Sequence, residues 1–89
     1  MTPLHYASRA GHVEIVELLL SNGANVDAMS KSCATPLHFA CAAGRLDVVR
    51  ILLRSGADIK LKDKSDRDAI DVAQQYKQES VLTELSNER

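Results

Sequence analysis

The chain has 89 residues, of which 45% are apolar but only 3% aromatic, and its 11 Lys and Arg stand against 12 Asp and Glu. That length allows one small domain, with a core built of Leu, Val, Ile and Ala in closely packed small elements. The net charge of −1 argues against a nucleic-acid footprint or a polybasic membrane surface, and apolar runs such as Leu18-Leu19-Leu20 are far too short to span a bilayer.

In chain order, the first predicted element starts at Thr2, a good helix N-cap, followed by Pro3 at the first helical position, where a missing N–H costs nothing. The helix is predicted to run to Ala10 and to end at Gly11, since glycine accepts the left-handed conformation just past a helix C-terminus. A second helix follows over Val13–Leu20. Val13, Val16, Leu19 and Leu20 form an apolar face that Ile15 and Leu18 widen, and Gly23 breaks the helix. The period then changes to two: Val26 and Ala28 alternate with Asp27 and Met29, which predicts an extended segment with one face inward. Lys31-Ser32 lies at the tip of the resulting turn.

Thr35-Pro36-Leu37-His38-Phe39-Ala40 then repeats Thr2-Pro3-Leu4-His5-Tyr6-Ala7 at an offset of 33 residues. Residues 2–34 and 35–67 share 14 identities without a gap, Gly11 and Gly23 falling on Gly44 and Gly56. The same elements are therefore predicted again: a helix to Ala43, a helix over Leu46–Leu53, and an extended segment with Ile59 and Leu61 inward, ending at a tip with Lys64-Ser65. A weaker third copy opens at Asp68, an equally good N-cap, with Asp71 adding negative charge to the first turn. Its glycine position is Lys77.

Two helices, a turn and an extended finger at a 33-residue period, opened by Thr-Pro-Leu-His-x-Ala, resemble the ankyrin repeat over nearly all of residues 2–89. The resemblance implies an all-α solenoid, a stack of helix pairs with β-turn or hairpin fingers projecting from it. The single domain, 2–89, divides into a first repeat at 2–29 without its own finger, a full central repeat at 30–62 and a C-terminal capping repeat at 63–89. Gln74, Gln75, Lys77, Gln78 and Glu79 give the last unit a solvated outer face. The missing finger predicts an uncapped N-terminal face, with Leu4, Tyr6 and Val13 partly uncovered and available for self-association. Cys33 and Asp66 stand where the family usually places a finger-tip glycine. Asp tolerates positive φ moderately well and Cys less so, which predicts a strained or differently shaped second finger.

The resemblance implies a protein–protein interaction module, an adaptor, scaffold or inhibitor, or else a mainly structural piece of a longer array. Its variable contact positions fall on Arg9 and Ala10 in the first unit and on Met29, Lys31, Ser32, Ala34, Ala42 and Ala43 in the second. In the third they fall on Lys62, Lys64, Ser65, Arg67, Gln75 and Tyr76. Tyr76, an aromatic at an exposed position, is the best hot-spot candidate. Lys60, Lys62, Lys64 and Arg67, with Lys31 near, form a basic finger surface suited to an acidic partner, although Asp58, Asp63, Asp66 and Asp68 interleave with them.

His5 and His38 recur at the repeat period, so the resemblance implies that each ties its threonine hydroxyl to nearby backbone. Cys33, His38 and Cys41 match no common zinc spacing and lack a fourth ligand. No nucleophile elbow or phosphate loop is present, so neither catalysis nor a cofactor is expected. Two cysteines make no disulfide framework, and Met1-Thr2-Pro3-Leu4-His5 has no signal-peptide character. The setting expected is intracellular, cytoplasmic or nuclear.

Overall fold

Thr2 and Thr35 sit in extended backbone, and each side chain accepts the amide of the histidine three residues on, while that histidine's ring closes back on the threonine N–H. These reciprocal caps start α1 (Pro3–Ala10) and α3 (Pro36–Ala43). Asp68 and Asp71 make the same reciprocal cap with carboxylates at α5 (Ala69–Gln75). Each first helix is followed by a second: α2 (Val13–Ser21), α4 (Leu46–Arg54) and α6 (Glu79–Asn87). In this computed structural model the described residues are 1–87; Glu88 and Arg89, assigned above to the last repeat, lie outside them.

The first helices stack on one another, α1 on α3 on α5, and the second helices stack behind them, α2 on α4 on α6. The core runs between the two rows. Leu4, Val16, Leu37, Val48, Val49, Leu52, Val81 and Leu85 are all essentially inaccessible to solvent, with Ala7, Ala40 and Ala73 allowing the close approach of the first helices. Burying each large aliphatic side chain contributes roughly 1.5–3 kcal/mol. Leu4 is therefore fully covered, contrary to the expectation that it lies open on the N-terminal face. It points into its own unit, and it is Tyr6, Ile15 and Leu18 that face outward.

Two further sequence expectations change. The second helices run one residue further than predicted, to Ser21 and Arg54. The segments after Gly23 and Gly56 are not extended in alternation, and the described residues contain no β-strand. Instead Asn25 Oδ1 accepts the Asp27 amide at 3.0 Å and its carbonyl accepts the Ala28 amide at 3.1 Å, folding the chain into a side-chain-capped turn. Asp58 does the same with the Lys60 amide at 2.9 Å.

The finger tips are β-turns with hairpin-type bonds. Ser30 N–H donates to the Ala34 carbonyl at 2.9 Å, and Asp63 N–H to the Arg67 carbonyl at 3.0 Å. Cys33 and Asp66 both take the left-handed conformation, with φ of 61° and 62°. The second finger thus has the same shape as the third. What Cys33 brings is strain, because a thiol side chain offers the backbone none of the local hydrogen bonding that eases Asp into this region.

Candidate partner-binding groove

The fingers and the first helices meet in a concave cleft. It is lined by Ser32, Ala34, His38, Phe39, Ala42, Asp63, Arg67, Val72 and Tyr76 and has a volume of about 140 Å³. Small-molecule sites usually enclose roughly 300–1,000 Å³, so this space suits one side chain of a bound polypeptide better than a cofactor.

His38 lies in the cleft lining and is fixed by hydrogen bonds at both ring nitrogens. His38 Nδ1 accepts the Thr35 amide at 3.0 Å and lies 2.8 Å from the Thr35 hydroxyl. Because Nδ1 accepts from an amide, the ring proton sits on Nε2, which donates to the Arg67 carbonyl at 2.8 Å. His5 repeats this arrangement, its Nε2 donating to the Ala34 carbonyl at 2.9 Å. Each histidine therefore caps its own helix and holds the base of the next finger. Both ring nitrogens of His38 are occupied, and neither is left to bind a metal.

The third finger is held by one buried carboxylate. Asp63 Oδ1 accepts the amides of Ser65 at 2.9 Å and Arg67 at 3.0 Å, and its Oδ2 accepts from the Arg67 guanidinium at 2.9 Å. Burial opposes the charge, but these donors outweigh it and hold the Asp63 carboxyl below its ordinary value. The second finger has Ser30 at this position and uses its hydroxyl instead, accepting the Ala34 amide at 3.3 Å. The fingers are joined by Lys64 N–H donating to the Ser32 carbonyl at 2.9 Å.

The structure divides the sequence-selected contact residues. Ser32 and Tyr76 are exposed and line the cleft, Ala42 is half-buried in its wall, and Arg9, Ala10, Lys31, Ala43, Lys64, Ser65 and Gln75 are exposed without lining it. Met29 is exposed but does not line the cleft. Lys62 is exposed and lies 3.6 Å from Asp66, so its charge is partly matched within the finger. Ala34 is buried at the cleft lining and its carbonyl is the acceptor for His5, so it offers a partner little side-chain surface. Arg67 is also not a free cation. Its guanidinium is engaged by Asp63 and Gln75, and its backbone carries the His38 bond.

Phe39 was not among the sequence-selected contacts, yet it lines the cleft. Its ring packs edge-on against His5, with centroids 5.5 Å apart, and the Arg9 guanidinium lies 6.0 Å from its centroid and 5.4 Å from that of Tyr6. Arg9 is thus steadied between two aromatic rings while its charge remains exposed. The cue was the aromatic substitution of Tyr6 by Phe39 at the repeat period, which the core pattern alone does not interpret.

Cys41 is buried in the core of α3, where desolvation, helped by the Asp68 charge, pushes its thiol up to about 12. It stays protonated and acts as a small apolar residue. Among the described residues, no group of three or more His, Cys, Asp or Glu could hold a metal, and no helix is long and apolar enough to cross a membrane.

The family model for ankyrin repeats (3 copies) matches residues 1–63. No curated protein matches the chain. The match stops at the third finger. Beyond it α5 and α6 keep the reciprocal cap and the stacking of the units before them while losing their proline and glycine. Six helices in stacked pairs, histidine-closed caps and a match over most of its length place the chain in the ankyrin repeat family, whose members are generally protein–protein interaction modules and typically not enzymes.

Proposed function

We propose that this chain binds a partner protein in the groove between its fingers and first helices, and that the bound segment carries acidic side chains beside an apolar anchor. The observation that carries this reading is the composition of the groove. Phe39, Ala42 and Tyr76 offer apolar contact around a cleft of side-chain size, while the Arg9 guanidinium lies 6.0 Å from the Phe39 centroid and Lys31 and Lys64, both exposed, adjoin Ser32 of the lining. On this reading the repeat at 30–62 and the unit at 63–89 supply the cleft, and the repeat at 2–29 adds Arg9 beside Phe39. Two free thiols suit an intracellular setting.

The test is a titration of the chain with a fluorescent peptide rich in Glu and Leu, with amide shifts mapped by NMR. Shifts at Ser32, Phe39, Ala42 and Tyr76, and affinity that falls with salt, are expected. Lys31→Glu with Lys64→Glu should weaken binding roughly tenfold, as two exposed charge pairs of up to about 1 kcal/mol each allow. Shifts confined to the outer faces of α2 and α4, or affinity indifferent to both reversals, would sink the reading.

A further inference from the structure

Asn22 is followed by Gly23, and both are exposed at the end of α2. That pair carries a chemistry of its own. The backbone nitrogen of the residue after an asparagine can attack the side-chain carboxamide carbon. A C–N bond forms to that nitrogen, the bond to the amide nitrogen breaks, and ammonia leaves with the proton the backbone N–H gives up. Water then opens the resulting succinimide at either carbonyl. The products are aspartate and isoaspartate, in which the backbone runs through the former side chain. The attack is fastest where glycine follows, because no side chain screens the nitrogen and the backbone turns freely. The other asparagines are less well placed: Asn25 precedes the β-branched Val26, and Asn87 precedes Glu88.

The native helix end holds the reacting groups apart. Asn22 has φ −94° and ψ 15°. At that ψ the Gly23 nitrogen nearly eclipses the Asn22 nitrogen, whereas ring closure needs it beside Asn22 Cβ. Nucleophile and leaving group are both engaged as well. Gly23 N–H donates to the Leu20 carbonyl at 3.1 Å, and Asn22 Nδ2 donates to the Leu18 carbonyl at 3.0 Å. Packing adds little restraint at the glycine, which lies at φ 89° and where a Cβ would meet nothing within 4 Å. An exposed helix end held by such bonds opens locally long before the core does.

We propose that Asn22 is a modification site, converting spontaneously to aspartate and isoaspartate when the end of α2 opens, and that the conversion then keeps that end open. Either product loses the Nδ2 donor to Leu18 and carries a carboxylate at the helix end, where the dipole disfavours negative charge. The last turn of α2 has no basic residue to offset it, whereas that of α4 has Arg54. Isoaspartate also lengthens the backbone just ahead of the Asn25 turn that leads into the second finger. The second unit has Ser55-Gly56 at this place, with φ −87° and ψ 6° at Ser55 and Gly56 N–H donating to the Leu53 carbonyl at 3.1 Å. Serine has no carboxamide, so the second unit keeps the turn without the reaction.

The experiment incubates the full chain at mildly alkaline pH, native and in urea. Conversion is followed by peptide mass mapping and by labelling with an isoaspartate-specific carboxyl methyltransferase. In the native chain Asn22 should convert first, roughly ten- to hundredfold more slowly than in urea, the protection that two modest hydrogen bonds give. The converted chain, separated by ion exchange, should lose amide protection at Asn22 and Gly23 and melt about 2–6 °C lower. Asn22→Ser should keep the native fold and abolish the converted species. Absence of native conversion at Asn22, or conversion led by Asn25 or Asn87, would overturn the proposal. So would equal rates in the native chain and in urea, or a converted chain with an unchanged midpoint.

Discussion

Replacing His38 with alanine removes the one side chain that caps α3 and holds the third finger at the same time. His38 is 4% exposed and Thr35, whose amide it accepts, 1%. In His38→Ala the Thr35 N–H is stranded in a buried site, at a cost of roughly 1–3 kcal/mol, and the Arg67 carbonyl loses a bond with a net contribution of about 1 kcal/mol. The expected loss is therefore about 2–4 kcal/mol. At ~0.05–0.15 kcal/mol per residue, a chain of 89 residues has only ~4–13 kcal/mol in all. Asp71→Ala is the control. Asp71 makes the same local cap, accepting the Asp68 amide at 3.1 Å, but its cap bond is exposed and, among the described residues, it makes no hydrogen bond to another finger. Losing an exposed cap costs about 1 kcal/mol. Urea unfolding followed by helical circular dichroism measures both, with unchanged m-values confirming comparable end states. Costs for the two variants that agree within about 0.5 kcal/mol would refute the claim that the histidine couples successive units.

Three other predictions rest on single residues. Cys33→Gly should raise stability by about 0.5–1 kcal/mol, since relief of a left-handed non-glycine residue outweighs the added freedom of the unfolded chain; a lower thermal midpoint would count against strain at this tip. In the native protein a thiol reagent should label one equivalent, at Cys33, while Cys41 reacts only at the rate of unfolding; fast labelling of a Cys33→Ser variant would contradict the burial of Cys41. Asp63, held below its ordinary value, contributes stability that is fully present above about pH 5 and is lost as pH falls through its folded-state value. Acid should accordingly release the third finger first, seen as early loss of amide protection at Ser65 and Arg67, and Asp63→Asn should abolish that early step.

The elements that were legible in the sequence are the ones governed by bonds within a few residues. Thr2, Pro3, His5 and Gly11, and their counterparts Thr35, Pro36, His38 and Gly44, mark helix ends because caps and left-handed turns are local. The 33-residue period likewise identified the family and the pairing of helices without any coordinates. The fingers were read less well. Val26 and Ala28 alternate with polar neighbours, but the Asn25 side chain wins the competition for the backbone and folds a turn.

What only the tertiary structure decided lies in contacts that span 29 to 36 residues. Ala34 and Arg67 look like free finger-tip residues in sequence; the stack buries one and ties the other to Asp63. Leu4 and Leu18 are both leucines of the first unit, yet packing covers Leu4 and leaves Leu18 in solvent. Arg45 and Gln78 differ in charge and share only a side-chain N–H donor, and only the stacking reveals that both clasp the helix end of the preceding unit. The physical reason is the same throughout. A repeat specifies its own helices through local hydrogen bonds, but which side of each helix is covered depends on the neighbour packed against it.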